Sequence, residues 1–307
     1  TGAGRAGGTA RATGAAARRR PLWPWLFLLP ALLLFAVFDY YPFLRAVVLS
    51  FQATDLFGRP AGWAGLENYT VMLSSGEFWS TFAWTLVFTV ASTVVKLVLG
   101  LAIAVPLARR LRGTAVLRSA VLIPMAVSTA VGALIFSQIL APSVGPADQL
   151  ADLVGLGPVG WLTDAGWARV SVLVVDTWAG ISFVVLLLLA AIDGVPGDIT
   201  EAAGLDGCTG LRYIRHMLVP SIAPMLLFLA VTQSVAALRE FTVINALTGG
   251  GPAGATQTLV VDLYTRAFGD STNDYSSAAA SGMVLAVFIV VLSAVQFALS
   301  ARKVTYR

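Results

Sequence analysis

The stretch DGVPGDITEAAGLDGCTGLRYIRHMLVP, residues 193–220, lies between two long apolar runs and decides how the chain is organised. Pro196-Gly197 ends the apolar helix before it, because neither residue sustains a helix interior. Asp198 is a good N-cap, and Glu201 three residues later completes a capping box. The spacing predicts a short helix from Ile199 to about Asp206, a turn at Gly207, and a second short helix stopping before Pro220. Ala202, Ala203 and Gly204 leave one surface of the first helix flat enough for another protein to dock closely. From these residues alone, an ordinary amphipathic connector lying on a membrane surface is equally open.

Outward from that segment the chain is unusually apolar. Of its 307 residues 57% are apolar by type and 12% charged, about half the charge of a soluble domain, and mean hydropathy is +0.81. Those values exclude a soluble globule, and for most of the chain they exclude disorder. Six stretches are long enough to cross a hydrocarbon core that takes about 20 helical residues. They run near 22–41, 82–108, 116–140, 170–192, 222–238 and 278–300. The predicted fold is all-α and integral to the membrane, with residues 193–220 joining the fourth and fifth of six transmembrane helices. Residues 1–20, ending in Arg18-Arg19-Arg20, read as a disordered basic cytoplasmic tail, and 21–307 as the transmembrane domain. The first apolar run resembles a signal peptide, but it is long for one and lacks a clear cleavage site, so it is expected to stay as an anchor.

Charge sets the expected orientation. With the amino terminus inside, 14 of the 20 basic residues fall on the inner side and five on the outer, with Lys96 inside a span. By the positive-inside rule both termini are cytoplasmic, and so is the segment 193–220. Basic residues at the ends of apolar runs encode orientation and do not suggest nucleic acid as a partner.

Several kinds of chemistry are excluded. One cysteine, Cys208, rules out an internal disulfide framework and any cysteine-based metal site. One histidine, His216, makes a histidine metal cluster or a nucleophilic triad implausible, and no metal site is expected. No G-x-x-x-x-G-K-[ST] occurs, so the chain has no P-loop with which to hydrolyse ATP, and it is not expected to be an enzyme. Polar residues inside spans are functional hypotheses because their burial is costly. Lys96 and Asp176 could pair with each other or contribute to a polar path. Gln233 and Ser234, with Arg239, Glu240 and Asn245 just beyond them, are better candidates for lining one. Trp178 and Phe241 could offer aromatic faces to a sugar.

Glu201-Ala202-Ala203, then Gly207, then Pro220 follow E-A-A-x3-G-x9-I-x-L-P, with Met217 and Val219 in the two aliphatic places. This resembles the EAA motif of the membrane subunits of binding-protein-dependent ABC importers. Two further elements resemble the sugar-type branch that includes the maltose and glycerol-3-phosphate importers. One is Gly65-Leu66-Glu-Asn68-Tyr69. The other is Leu247-Thr248-Gly249-Gly250-Gly251-Pro252 followed by Thr256, which is similar to a loop of the first of two paired permeases.

The resemblance implies a cytoplasmic coupling segment comprising Glu201, Ala202, Ala203, Gly204, Asp206, Gly207 and Pro220, seated in a cleft of an ATPase. It also implies a second related permease, two ATPase subunits and an extracytoplasmic solute-binding protein as partners, with membrane lipid around them. ATP and magnesium would then sit on the ATPase, and this chain would bind no cofactor. The expected location is the bacterial cytoplasmic membrane. Outer elements Gly65, Asn68, Tyr69 and Gly249–Pro252 would face the binding protein or gate the outer mouth. The rival from another class is a stand-alone secondary transporter or channel, for which inverted repeats would be the signature.

Overall fold

The computed structural model describes Gly2 and residues 23–55, 57–109, 114–155, 157–269 and 273–301. The expected basic tail otherwise lies outside the described residues, as do Arg110, Arg112, Arg302, Lys303 and Arg307 of the inner-side charge count. The chain forms two compact units divided after Arg45. In the first, α1 (Trp23–Phe35) passes through one π-helical turn, Ala36–Tyr40, into α2 (Tyr41–Leu49), which continues into the second unit. The side chains of residues 27–45 are exposed and mostly apolar, as suits a helix whose solvent is lipid.

The second unit opens with a hairpin absent from the expected outer loop, β1 (Gln52–Thr54) paired antiparallel with β2 (Pro60–Trp63). Then come α3 (Glu67–Ser74), α4 (Gly76–Ala108), α5 (Thr114–Ala126), α6 (Thr129–Ile139) and α7 (Pro146–Leu153). The long α8 (Ala165–Asp193) leads into α9 (Gly197–Leu205) and α10 (Gly210–Tyr213). A π-helical turn, Ile214–Leu218, and α11 (Val219–Ser221) connect to α12 (Ala223–Leu238), and α13 (Thr242–Leu247), α14 (Leu259–Phe268) and α15 (Tyr275–Ala301) complete the fold.

Among the described residues four helical stretches are long and apolar enough to cross a membrane, and up to six if each of two bent pairs is one span. The stretch expected as a straight span, 116–140, is one of those pairs, since α5 and α6 meet at 98°. Pro124 lies in the last turn of α5, and Ser128 is extended (ψ 131°), so the helix cannot run through. The other bend, 76°, falls at Ile222 between Pro220 and Pro224.

The core is built on α4, which packs most extensively on α8 and α12. Its buried face carries small and hydroxyl residues, among them Thr85, Thr89, Ser92, Thr93, Gly100 and Ala104. In lipid, helix association depends on such close approach. A Cβ at Gly100 would lie 2.6 Å from Val184 Cγ1, so α4 and α8 touch nearly backbone to side chain. One apolar cluster, with Ala104, Val184 and Leu188, flanks this contact towards the segment 193–220. The other, with Phe88, Val172 and Val175, includes Val243, Ile244 and Leu247 of α13. The segment after residue 239 was expected to lie in an outer loop. Instead α13 packs into the helical body, chiefly against α6 and also against α8, where its three apolar side chains join the second cluster.

Candidate functional site

A buried polar centre lies on α4 and α8 between the two apolar clusters. Lys96 Nζ is 2.8 Å from Asp176 Oδ2 and donates to Oδ1 at 2.9 Å, with both side chains almost wholly buried. Ser92 Oγ donates to Asp176 Oδ2 at 2.6 Å. The carboxylate is thus fully engaged, as a buried charge must be. Gly180 makes room for the ammonium, since a Cβ there would meet Lys96 Cε at 2.9 Å. Sequence reasoning missed Ser92 and Gly180, although each stands four residues from a member of the pair and therefore on the same helix face.

The other path candidates separate around this centre. Glu240 is half-buried within electrostatic reach of Asp176 and Lys96, and its Oε1 accepts from Val243 N at 2.8 Å, capping the first turn of α13. Gln233 is buried and its amide has no hydrogen-bond partner among the described residues. Ser234 is tied to Gln296 of α15, whose Nε2 donates to its Oγ at 2.9 Å. Trp178 stacks edge-on against Phe136 at 5.1 Å and lies over Gly132, where a Cβ would clash with its ring. Phe241 packs on Tyr264 at 4.6 Å, and Arg239 and Asn245 are exposed.

The elements expected on the outer side are tied down by hydrogen bonds within the chain. Asn68 Nδ2 donates to the carbonyls of Ser50 and Gln52, both at 2.9 Å, and Tyr69 Oη donates to Ser50 Oγ at 2.7 Å. Both side chains therefore hold the hairpin in place, and Gly65 turns the chain with φ +61°. Trp63 and Leu66 are exposed here, as is Phe57 in the turn between β1 and β2. In the Gly249–Pro252 loop, Thr256 is fully buried and its Oγ1 donates to Gly251 O at 2.7 Å, while its amide bonds Gly250 O. Gly249 and Gly250 both have positive φ, which only glycine adopts without strain.

The segment 193–220 departs from expectation at three points. Its first helix begins at Gly197 after Pro196 as N-cap, with no side-chain cap bond, so the capping box does not form. Proline fixes φ for that entry, and Asp198 sits inside the first turn, where it still complements the helix dipole. Ala203 is buried against its own chain, 2% exposed, and is not part of a free docking face. Three consecutive small residues fan through about 200° of helix, so they cannot share one surface. The second helix runs on through Pro220 to Ser221, because the π-helical turn before it accommodates a residue that has no N–H to donate.

The expected turn is present. Gly207 has φ +68°, Cys208 N donates to Ala203 O at 2.8 Å and Gly207 N to Gly204 O at 3.1 Å, a Schellman closure. Glu201, Ala202, Gly204 and Asp206 are exposed. So are two leucines that sequence reasoning passed over, Leu205 at 90% and Leu211 at 79%. Apolar side chains presented this fully on an otherwise polar connector mark a contact surface.

A body of apolar helices, a polar centre at its core and an exposed pair of short helices at one end define a helical membrane transport subunit. Residues 96–305 match the family described as binding-protein-dependent transport system inner membrane component. The chain is 31% identical over 286 residues to the sn-glycerol-3-phosphate transport system permease protein UgpA of Agrobacterium fabrum, covering 92% of this chain and 96% of that one. It is 34% identical over 235 residues to the trehalose/maltose transport system permease protein MalF of Thermococcus litoralis, covering 76% and 80% respectively. A chain from the crystal structure of a bacterial alginate ABC transporter, in complex with its alginate pentasaccharide-bound periplasmic protein, shares the fold at a TM-score of 0.79. That chain is 22% identical, over 92% of this chain and 95% of its own length. This chain belongs to the family of inner-membrane permease components of binding-protein-dependent ABC importers.

Proposed function

We infer that this permease moves a carbohydrate, polyol or glycerol-phosphate-type solute, delivered by an extracytoplasmic binding protein, in company with a second permease and two ATPase subunits. The observation that carries this is similarity to permeases named for glycerol 3-phosphate, over 92% of this chain, and for trehalose/maltose, over 76% of it. The polar inventory suits such a solute: the unpartnered Gln233 amide, the Glu240 carboxylate, and the rings of Trp178 and Phe241 supply hydrogen bonding and aromatic faces. Arg239 and Asn245, both exposed, add donors beside them. Lys96 and Asp176 neutralise one another and serve as the pin between α4 and α8. With both termini cytoplasmic, α9 and α10 meet the ATPase, and Leu205, Ala202 and Glu201 make the contact. Energy comes from ATP with magnesium on that partner, since this chain has no P-loop.

The test is solute uptake by proteoliposomes holding the complete complex and loaded binding protein, with ATP inside. Candidate sugars, polyols and glycerol phosphates are supplied one at a time. ATP-dependent accumulation of one class supports the assignment, and accumulation that follows membrane potential without ATP contradicts it.

A further inference from the structure

The coupling segment and the end of α4 enclose a groove that the transport path leaves unused. Val98, Leu101, Ala102, Val105 and Pro106 line it from α4. Their alternating steps of three residues and one put them on a single continuous helix face. Leu211 and Ile214, from the second helix of the coupling segment, form the facing wall, and the groove measures about 440 Å3. Among its described lining residues only Arg109 is charged, one turn beyond Pro106. The Arg109 guanidinium has no hydrogen-bond or ion-pair partner among the described residues.

The dimensions match one leaflet of a bilayer. From Val98 to Arg109, α4 rises about 16 Å, roughly half of a hydrocarbon core about 30 Å thick. An apolar slot of that depth, closed at the interface by an unpaired cation, is complementary to an acyl chain with an anionic headgroup. The basic character extends along the facing wall, where Arg212 and Arg215 follow Leu211. Asp193 lines a neighbouring cavity that shares Val105, Arg109 and Ile214, and it does not line this groove. A soluble anion would satisfy Arg109 but leave the apolar stripe wet.

We propose that this groove binds an anionic phospholipid of the cytoplasmic leaflet. It rests on the orientation given above, in which α9 and α10 are cytoplasmic. Because Leu211 and Ile214 belong to the coupling segment, a lipid in the groove holds that segment against α4. Coupling of ATP hydrolysis to the loaded binding protein therefore depends on anionic lipid.

The experiment uses the complete complex purified in mild detergent and then placed in nanodiscs of phosphatidylcholine with graded phosphatidylglycerol. Native mass spectrometry reads the lipid retained on the purified complex, and stimulated ATP hydrolysis is followed against phosphatidylglycerol fraction. Wild type retains phosphatidylglycerol over phosphatidylcholine. Arg109→Gln retains about five-fold less, the loss of one basic residue's attraction to an anionic surface, and needs a higher phosphatidylglycerol fraction for half-maximal stimulation. Arg109→Lys stays close to wild type, and Ala102→Trp, which fills the groove, loses the retained lipid. Equal retention and equal titrations in wild type and Arg109→Gln overturn the proposal. So does a photocrosslink from Ala102→p-benzoylphenylalanine to the second permease, which would place protein in the groove. Retention is read whatever solute is carried and whether or not ATPase subunits co-purify, so a failed functional assignment still leaves the groove judged.

Discussion

At the scale of single residues, the most exacting position is the Lys96–Asp176 pair. Lys96→Met leaves the buried Asp176 carboxylate with the Ser92 hydroxyl but without its countercharge, and breaking a buried pair from one side costs about 3–5 kcal/mol. Folded yield in detergent, measured by size-exclusion chromatography, should fall sharply. The double change Lys96→Met with Asp176→Leu should recover most of it, since an apolar pair of similar volume is tolerated. A double variant no better than the single one would argue that the charges serve transport and not packing. Both residues were legible in the sequence as costly intramembrane charges. Their partnership was left open, because an apolar run does not fix how two helices are rotated against each other. Ala203 was misread for a related reason: small residues in series say nothing about which of them faces inward. Ala203→Trp should therefore damage folding of this chain, whereas Leu205→Asp, at 90% exposure, should leave folding intact and weaken ATPase association. Gly207→Val, forced to φ +68°, should destabilise the turn by about 1–3 kcal/mol. Thermal melts of the purified complex would separate these three variants.

Among the elements, the long helices α4, α8 and α15 follow from runs of apolar residues and were evident from sequence. The bends were not. Pro124 signals a weakness in α5, but a 98° turn is fixed by where α6 packs. The insertion of α13 was hidden because six residues, Thr242–Leu247, are too few to read as a membrane element. Arg118 of α5 ties back to the end of α4: it donates Nε and Nη2 to Leu107 O at 3.1 and 2.8 Å. Arg118→Met removes that tie and should cost about 1 kcal/mol. Hydrogen exchange should then quicken in the last turn of α4, with protection in α8 unchanged. Uniform loss of protection throughout both helices would show that Arg118 holds more than the helix end.

For the whole molecule, orientation and coupling are linked, since α9 and α10 can meet an ATPase only from the cytoplasm. In a Cys208→Ser background, Val154→Cys, exposed beyond α7, should react with an impermeant thiol reagent in intact cells. Leu205→Cys should react only after the membrane is opened. Asp148 is a poor reporter of the outer side, being buried with its carboxylate accepting from Ser143 N and Val159 N. The central claim is that this chain is driven by ATP hydrolysed on a partner, through the surface that exposes Ala202 and Leu205. The most direct measurement is uptake and ATP turnover recorded together in proteoliposomes, for wild type and for Leu205→Asp with Ala202→Asp. Wild type should couple turnover to uptake in the presence of loaded binding protein, and the double variant should insert and fold but lose both. Full, ATP-coupled uptake by the double variant would contradict the account.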